Sequence, residues 1–316
     1  MTADVIVQQL INGITLGGMY ALIALGYTLV YGILLMINFA HSEMFMGGAY
    51  VGLFTMTALT NEKLVGASAA AFFTSPGIGL VTMFAIVFLV AMIAIGLLGM
   101  LTERLAYRPL RKAPRLAPLM SAIGVSLFLQ NAALLWIDSK ALPFPSLMPI
   151  KSIPVFGGAS VNTLQIMIVV TSIILMIILD RWVSKTRMGK AMRATSQDQE
   201  AAGLMGIDNN RVIALVFFVG PALGAVAGIF HGMYYGSVKF DMGFTPGIKS
   251  FTAAVLGGIG NLRGAMLGGF LLGIVESLAG GFISTGYKDA IAFVILIVVL
   301  VLRPGGLLGE SVVEKV

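Results

Sequence analysis

The run VIVQQLINGITLGGMYALIALGYTLVYGILLMINFAHS, residues 5–42, contains no Asp, Glu, Lys or Arg. Further runs without these residues cover 64–102, 116–137, 152–179, 212–238 and 290–302. A helix of about 20 apolar residues crosses a hydrocarbon core of roughly 30 Å, and helices satisfy their own backbone in lipid. The sequence therefore predicts an all-α, polytopic membrane helix bundle of about eight or nine spans. The number depends on whether the chain crosses the membrane at residues 243–263 or enters and returns.

Composition excludes most other classes of protein. Apolar residues make up 58% of the 316 residues and charged residues only 11%, unlike a soluble domain. The chain has no Cys, which excludes a disulfide framework, a cysteine-ligated metal and a cysteine nucleophile. It also lacks a Ser, His and carboxylate set, an HExxH string and a phosphate-binding loop, so we expect no catalytic residues, no metal site and no cofactor. The net charge of +6 lies in loops beside spans and does not indicate nucleic-acid binding.

Basic residues are concentrated in two loops, which hold 11 of the 20 Lys and Arg residues. The first loop has Arg104, Arg108, Arg111, Lys112 and Arg115, and the second has Arg181, Lys185, Arg187, Lys190, Arg193 and Arg211. Loops rich in Lys and Arg stay in the cytoplasm, so both are predicted to be cytoplasmic. Residues 138–162, between the two intervening spans, are then external. Their four prolines predict an irregular loop.

The second basic loop contains the polar segment TRMGKAMRATSQDQEAAGLMGIDNNR, residues 186–211. Small residues and good helix formers predict one short helix here, with no break before Gly203 and Gly206. A structured helix is more than a connector between two spans requires. The segment therefore indicates a cytoplasmic surface that another protein grips.

Glycine recurs at every fourth residue in one predicted span, at Gly220, Gly224, Gly228, Gly232 and Gly236. Small residues at this spacing let helix backbones approach closely in lipid. A single such pair indicates ordinary tight packing, whereas five in register predict a helix buried against its neighbours. A gated bundle and a static bundle both need such an interface.

Two apolar regions, residues 37–52 and 244–269, are interrupted by polar residues, Gly or Pro. Paired interruptions predict an internal structural repeat, with halves near 1–137 and 163–303 and irregular backbone lining a pathway. The alternative is a pair of short turns at the membrane surface.

Five polar residues in apolar surroundings are candidates for lining that path: Asn38, His41, Glu43, Asn261 and Glu276. His41 and Glu43 are two residues apart, so they point to different helix faces and do not form an i,i+4 metal pair. Glu276 must pair or reach water, and for this residue path lining and structural pairing remain equal alternatives.

The order Glu200-Ala201-Ala202, three residues, then Gly206 matches the EAAxxxG core of the loop by which ABC importer permeases dock their ATPases. Longer stretches add to this match, among them NGITLGGMYALIALGYTLVYGI, INFAHSEMFMGGAYV, SAIGVSLFLQN and KSFTAAVLGGIG. The chain closely resembles the H-type permease subunit of the bacterial high-affinity branched-chain amino acid importer, from about residue 9 to 316. One departure is Ser42, where the family pattern has Gly, and a Cβ there hinders a positive φ.

The resemblance implies one transmembrane permease domain, 1–316, in the bacterial inner membrane. It implies as partners a homologous second permease, two ATP-binding subunits, a periplasmic substrate-binding protein and membrane lipid. The chain is then no enzyme, and the partners hydrolyse ATP. The resemblance also places an ATPase-docking helix at 194–206, with Arg193, Asp198, Glu200, Ala201, Ala202 and Gly206 as its docking residues.

Two other functions stay open from the residues. One is a permease of the same architecture for another small solute, such as urea, an amide or another amino acid. The other is a channel or secondary carrier that works without partners, for which Glu43 and Glu276 are the main candidates as coupling charges.

Overall fold

The structure is a computed structural model that describes residues 3–111, 113–114, 116–148, 150–156, 158–303 and 305–309. Two of the basic residues named above, Lys112 and Arg115, lie outside these ranges. The described chain is built almost entirely from α-helices. They are α1 (Ala3–Leu34), α2 (His41–Thr60), α3 (Glu62–Val65), α4 (Ala67–Thr74), α5 (Ile78–Thr102), α6 (Leu116–Trp136), α7 (Thr163–Lys185), α8 (Arg187–Gln197), α9 (Gln199–Leu204), α10 (Asn209–Tyr235), α11 (Phe244–Gly257), α12 (Leu262–Phe282) and α13 (Lys288–Leu302).

Six helices of the described chain are long and apolar enough to cross a membrane, namely α1, α5, α6, α7, α10 and α12. The all-α membrane bundle is therefore confirmed, but the predicted number of spans is not. Three further helices are not among the six: α2 has 20 residues, whereas α11, with 14, and α13, with 15, are shorter than a full helical crossing. At 1.5 Å per residue, α11 and α13 are only roughly 21–23 Å long, less than the hydrocarbon thickness.

Contacts divide the chain into two compact units that interleave along the sequence. The first unit comprises residues 3–37, 150–213 and 248–309 of the described chain, and the second comprises residues 38–148 and 214–247. Helices α10 and α11 each contribute to both units.

In the first unit, α1 and α12 pack antiparallel through small residues. A Cβ built on Gly13 would lie 2.6 Å from the Ile274 Cα, and one built on Gly17 would lie 2.7 Å from the Phe270 Cα. Such backbone contact forbids side chains at these positions. The next residue, Gly18, lies against Ser172 of α7.

In the second unit, the glycines that recur at every fourth residue of α10, called the glycine ladder below, pack mainly against α2. A side chain at Gly228 would collide with the Phe45 carbonyl, and Gly224 faces the His41 ring. A Cβ at Gly232 would lie 2.6 Å from the ring of Phe144. Gly236, the fifth predicted member, follows the last residue of α10 and is exposed, with φ 72° and nothing near its Cβ position. The prediction was wrong for Gly236, because a left-handed residue ends the helix there.

The predicted external loop contains strands. Strand β2 (Ser152–Phe156) pairs antiparallel with β3 (Ala159–Asn162), and β1 (Leu142–Pro143) pairs with β4 (Ser237–Val238). Both sheets have only two strands, so Pro143 and Pro154 need no second partner strand, and proline is tolerated on such edges. The expectation of an irregular loop was therefore wrong for these residues.

The first basic loop begins as a continuation of α5. A π-helical turn covers Glu103–Tyr107 and a 3₁₀ turn covers Arg108–Leu110. The buried Glu103 carboxylate binds the guanidinium groups of Arg108, at 2.9 Å, and Arg111. Two of the predicted loop cations therefore hold the end of a helix.

Candidate functional site

The polar segment between α7 and α10 is two helices. Asp198 lies between α8 and α9 with an extended backbone, φ −157° and ψ 112°. Its carboxylate accepts hydrogen bonds from the backbone N–H groups of Glu200 (2.8 Å) and Ala201 (3.0 Å) and so caps α9. The predicted single helix over 194–206 was therefore wrong. Asp is a preferred N-cap residue, and that preference was a readable signal for the break.

Gly206 ends α9. The residue has φ 83°, its N–H donates to Gly203 at 3.0 Å, and the Ile207 N–H donates to the Ala202 carbonyl at 3.0 Å. Glycine favours this left-handed turn because it has no Cβ, and the chain leaves the helix as predicted.

One of the predicted docking residues points inward. Ala202 is only 4% exposed and belongs to the core. The exposed apolar residues of α9 are Leu204, at 89%, and the following Met205, at 84%. Sequence reasoning counted these two residues only as helix formers and missed them as a surface. Two apolar side chains in a polar loop were the available signal.

Hydrogen bonds fix α8 and α9 to the neighbouring helices. The Arg193 guanidinium donates to the carbonyl oxygens of Val183 (2.6 Å) and Ser184 (3.4 Å) at the end of α7. The Asn209 side chain, at the start of α10, donates to the Gln199 carbonyl at 2.6 Å and accepts from the Thr195 hydroxyl at 3.1 Å. The exposed tip of the segment, formed by α9 and Met205, is thus attached to α7 through α8 and to α10 directly.

The first interrupted region is a break between α1 and α2. Leu35 has φ 51°, and a non-helical stretch precedes α2, which starts at His41. Asn38 accepts a hydrogen bond from the Tyr107 hydroxyl at 2.8 Å, and both side chains are buried. Glu43 accepts from the hydroxyls of Ser126, at 3.2 Å, and Ser42, at 3.3 Å.

Ser42 fits the structure without strain. It lies in the first turn of α2, and Leu35 alone has a positive φ among the described non-glycine residues. Its hydroxyl proton is shared between the Phe39 carbonyl, at 2.8 Å, and the more distant Glu43 carboxylate, at 3.3 Å. A built Cβ at either Gly243 or Gly247 would collide with Ser42, so these two glycines make room for the residue.

The second interrupted region separates α11 from α12. Gly258 and Gly260 have φ 104° and 94°. The Asn261 side chain accepts from the Gly264 N–H at 3.1 Å and donates to the Leu308 carbonyl at 2.8 Å. Asn261 therefore caps α12 and also binds the segment that follows α13.

Glu276 is the centre of a buried ionic cluster in the first unit. Its carboxylate accepts from the Tyr20 hydroxyl at 2.9 Å and the Lys249 ammonium at 2.8 Å, and Lys288 lies at 3.5 Å. Lys249 also lies 2.6 Å from Asp289, a charge contact without hydrogen-bond geometry. The two ammonium groups and two carboxylates balance in charge, which is what an apolar surrounding requires.

The candidate path residues divide between the two units. Asn38, His41 and Glu43 lie at the start of α2 in the second unit, and Asn261 and Glu276 lie in the first. Sequence reasoning did not include Lys249, Asp289 or Tyr20, although a charged residue in an apolar run predicts a partner of opposite charge. No group of His, Cys, Asp and Glu suited to a metal ion occurs among the described residues.

The family described as "Branched-chain amino acid transport system / permease component" matches residues 9–300. The chain belongs to this family. A permease protein of the high-affinity branched-chain amino acid transport system of Pseudomonas aeruginosa, BraD, is 46% identical over 98% of this chain and 97% of its own length.

The corresponding Escherichia coli protein, LivH, is 44% identical over 98% of this chain and 97% of its own length. An autoinducer 2 import system permease of Enterobacter, LsrC, is 29% identical over 60% of this chain and 55% of its own length. No solved structure matches. The family and the six apolar helices together establish a multi-pass membrane permease.

Proposed function

We propose that this protein is a permease subunit of an ATP-driven ABC importer that moves leucine, isoleucine and valine across the bacterial inner membrane. The identity to BraD and LivH over nearly the full length carries this proposal. The proposed complex contains a homologous second permease, two ATP-binding subunits and a periplasmic substrate-binding protein. ATP is hydrolysed by the partner subunits, and this chain contributes the membrane path.

The exposed tip of α9 is the proposed contact with an ATP-binding subunit. Glu200, Ala201, Leu204 and Met205 are exposed there, so a groove on the partner can cover an apolar pair beside an acid. The bonds of Arg193 and Asn209 tie the tip to α7 and α10. ATP-driven closure of the partners would then move these helices together as a rigid body.

Nine spans best fit the side of the membrane on which each helix end lies. They comprise the six long helices together with α2, α11 and α13. The cytoplasmic ends of α7 and α12 are joined by the Asp180–Arg263 ion pair, at 3.1 Å, and α10 also starts at that side. Because α10 leaves the cytoplasm and α12 leaves it again, α11 must return the chain between them. The Leu307 N–H donates to the Leu256 carbonyl at 2.9 Å, so α13 returns to the same side.

The interrupted helices support one permease domain with an internal repeat, as proposed from sequence, with halves near 1–137 and 163–303. In each half a non-helical break joins two helices, α1 to α2 and α11 to α12. Irregular backbone at such a place is suited to a pathway, and Asn38, His41 and Glu43 remain the proposed lining residues of the first break.

Transport by the reconstituted complex tests the proposal. We expect uptake of labelled leucine into proteoliposomes that requires ATP, the binding protein and the ATP-binding subunits. Leu204→Ser together with Met205→Ser should leave this chain in the membrane but lower co-purification of the ATP-binding subunit and uptake by about thirtyfold, since each exposed apolar side chain contributes about 1 kcal/mol or more when buried. Arg211→Gln, an exposed change beside the tip, is the matched control.

Uptake without any partner subunit would instead indicate a channel or carrier. A second solute class is favoured by the partial similarity to LsrC, whose name refers to autoinducer 2 import. ATP-dependent uptake of autoinducer 2 with no uptake of leucine, isoleucine or valine would replace the proposed substrate and keep the importer.

A further inference from the structure

A cavity of about 730 Å³ lies in the first unit where three membrane helices end. Its walls come from the last turns of α1 and α7, the first turn of α12, and helix α8. Since α1, α7 and α12 are apolar along their length and end here, the cavity lies at the depth of the lipid headgroups.

The charged residues that line the cavity are Arg193, Arg263 and Asp180. Arg193 binds two neutral carbonyl groups of α7. Within the part of the chain that the structure describes, no carboxylate pairs with Arg193, whereas the neighbouring Arg263 is paired with Asp180. The cavity therefore carries one cation that lacks a counter-charge.

The rest of the wall is both polar and apolar. Tyr31, Ser196 and Asn261 offer hydrogen-bonding groups, while Leu29, Ile33 and Val183 give an apolar surface. Thr28 is 1% exposed, lines the cavity and has a hydroxyl without a hydrogen-bond partner. This volume lies within the range of roughly 300–1,000 Å³ that is typical of ligand pockets.

We propose that this cavity binds the phosphate headgroup of an anionic phospholipid, with Arg193 as the principal cation and the apolar wall against the glycerol and first acyl carbons. Basic pockets between membrane helices on the cytoplasmic side bind such headgroups. The orientation proposed above places this lipid in the inner leaflet. Binding of a phosphate group does not depend on that orientation. A lipid held here contacts both α8 and the break before α12. Anionic lipid in the membrane would therefore stabilise α8, which leads into the proposed ATPase contact on α9.

Native mass spectrometry of the full chain, purified in detergent with the subunits that accompany it, tests the proposal. The complex is titrated with short-chain phosphatidylglycerol, phosphatidylcholine and inorganic phosphate. We expect phosphatidylglycerol to be retained at about tenfold lower concentration than phosphatidylcholine, because phosphatidylglycerol has a net negative charge, whereas the choline cation of phosphatidylcholine offsets its phosphate and is repelled by Arg193. Competition by inorganic phosphate at similar concentration would support the phosphate site and identify a free anion as its ligand. Equal retention of the two lipids, with no binding of phosphate, would overturn the proposal.

Two substitutions in α8, each removing one positive charge, distinguish binding at the cavity from a general effect of charge. Arg193→Gln should weaken phosphatidylglycerol retention about tenfold, and Lys190→Gln, an exposed change of equal charge on α8 outside the cavity, by less than about twofold. Equal effects of the two would overturn the site. If Arg193→Gln does not assemble, Thr28→Val replaces it, since that hydroxyl has no bond to lose. Retention unchanged in Thr28→Val would then count against the cavity, and weakened retention would support it. Because lipid retention is measured without transport, failure here leaves the proposed importer untouched.

Discussion

At the scale of single residues, the clearest physical constraint is the buried ion pair of Lys249 and Glu276. Their side chains are 5% and 2% exposed and lie 2.8 Å apart. An unpaired charge in such a place is costly, whereas a paired one is nearly neutral against an apolar pair. The cluster thus fixes which parts of α11, α12 and α13 meet. Its contribution to stability is measured by replacing Lys249 and Glu276 separately and together.

Lys249→Met should lower the free energy of unfolding by about 3 kcal/mol, because Glu276 loses its closest cation. Adding Glu276→Met should restore part of this loss, since no uncompensated carboxylate remains. Thermal denaturation of the detergent-solubilised complex measures both variants. Lys239→Met is the control, because Lys239 and Asp241 form an exposed pair that contributes about 0–1 kcal/mol. If the double variant is less stable than either single variant, charge compensation does not hold the cluster together.

At the scale of elements, glycine decides which helices touch. Lipid is as apolar as the helix surfaces, so close backbone packing drives association. In the second unit this packing joins α10 to α2, and in the first it joins α1 to α12. The spacing of glycine gave the buried helix, but only the contacts show its partner and show that Gly236 belongs to the turn.

Gly228→Leu should impair assembly, because any side chain at this position meets the Phe45 backbone. Overpacking costs typically about 1–3 kcal/mol, and more where backbones are forced apart. We expect at least a fivefold fall in yield of the purified complex, measured by size-exclusion chromatography. Gly124→Leu on α6 is the matched control, since a Cβ at Gly124 meets nothing within 4 Å. Equal yields from the two variants would show that the ladder tolerates bulk.

At the scale of the whole molecule, sidedness follows from the charge of the loops and from the ion pairs at helix ends. The positive-inside rule predicts that the basic segments are cytoplasmic. The proposed nine spans then put the start of α1 and the β1–β4 strands outside. This topology is open to direct measurement, because the chain has no Cys of its own.

Single cysteines at Asp4, Lys140 and Lys239 should react with an impermeant maleimide added to spheroplasts, and one at Ser196 should react only after the membrane is opened. Asp4 tests the first crossing, and Lys239 tests whether α10 reaches the outside before α11 returns. Labelling of Ser196→Cys in closed spheroplasts would invert the orientation. Protection of Lys239→Cys would remove both α10 and α11 from the spans.

The sequence by itself determined the class of fold, the position of most of the long helices and the family. Charge-free runs, helix propensity and glycine spacing are local properties, and they are readable one segment at a time. The end of α9 at Gly206 was predicted for the same reason. The polar segment also contained a readable break, because Asp198 is a strong N-cap that competes with helix continuation.

The tertiary structure alone decided which residues meet. Tyr20 and Glu276 are 256 positions apart, and no local pattern joins them. The inward face of Ala202 and the exposed Leu204 and Met205 depend on how α9 lies against its neighbours. The cavity beside Arg193 forms between the ends of three helices and α8, which are far apart in the sequence. Pairing between distant segments is set by packing and charge compensation in the folded bundle, which the order of residues along one helix does not contain.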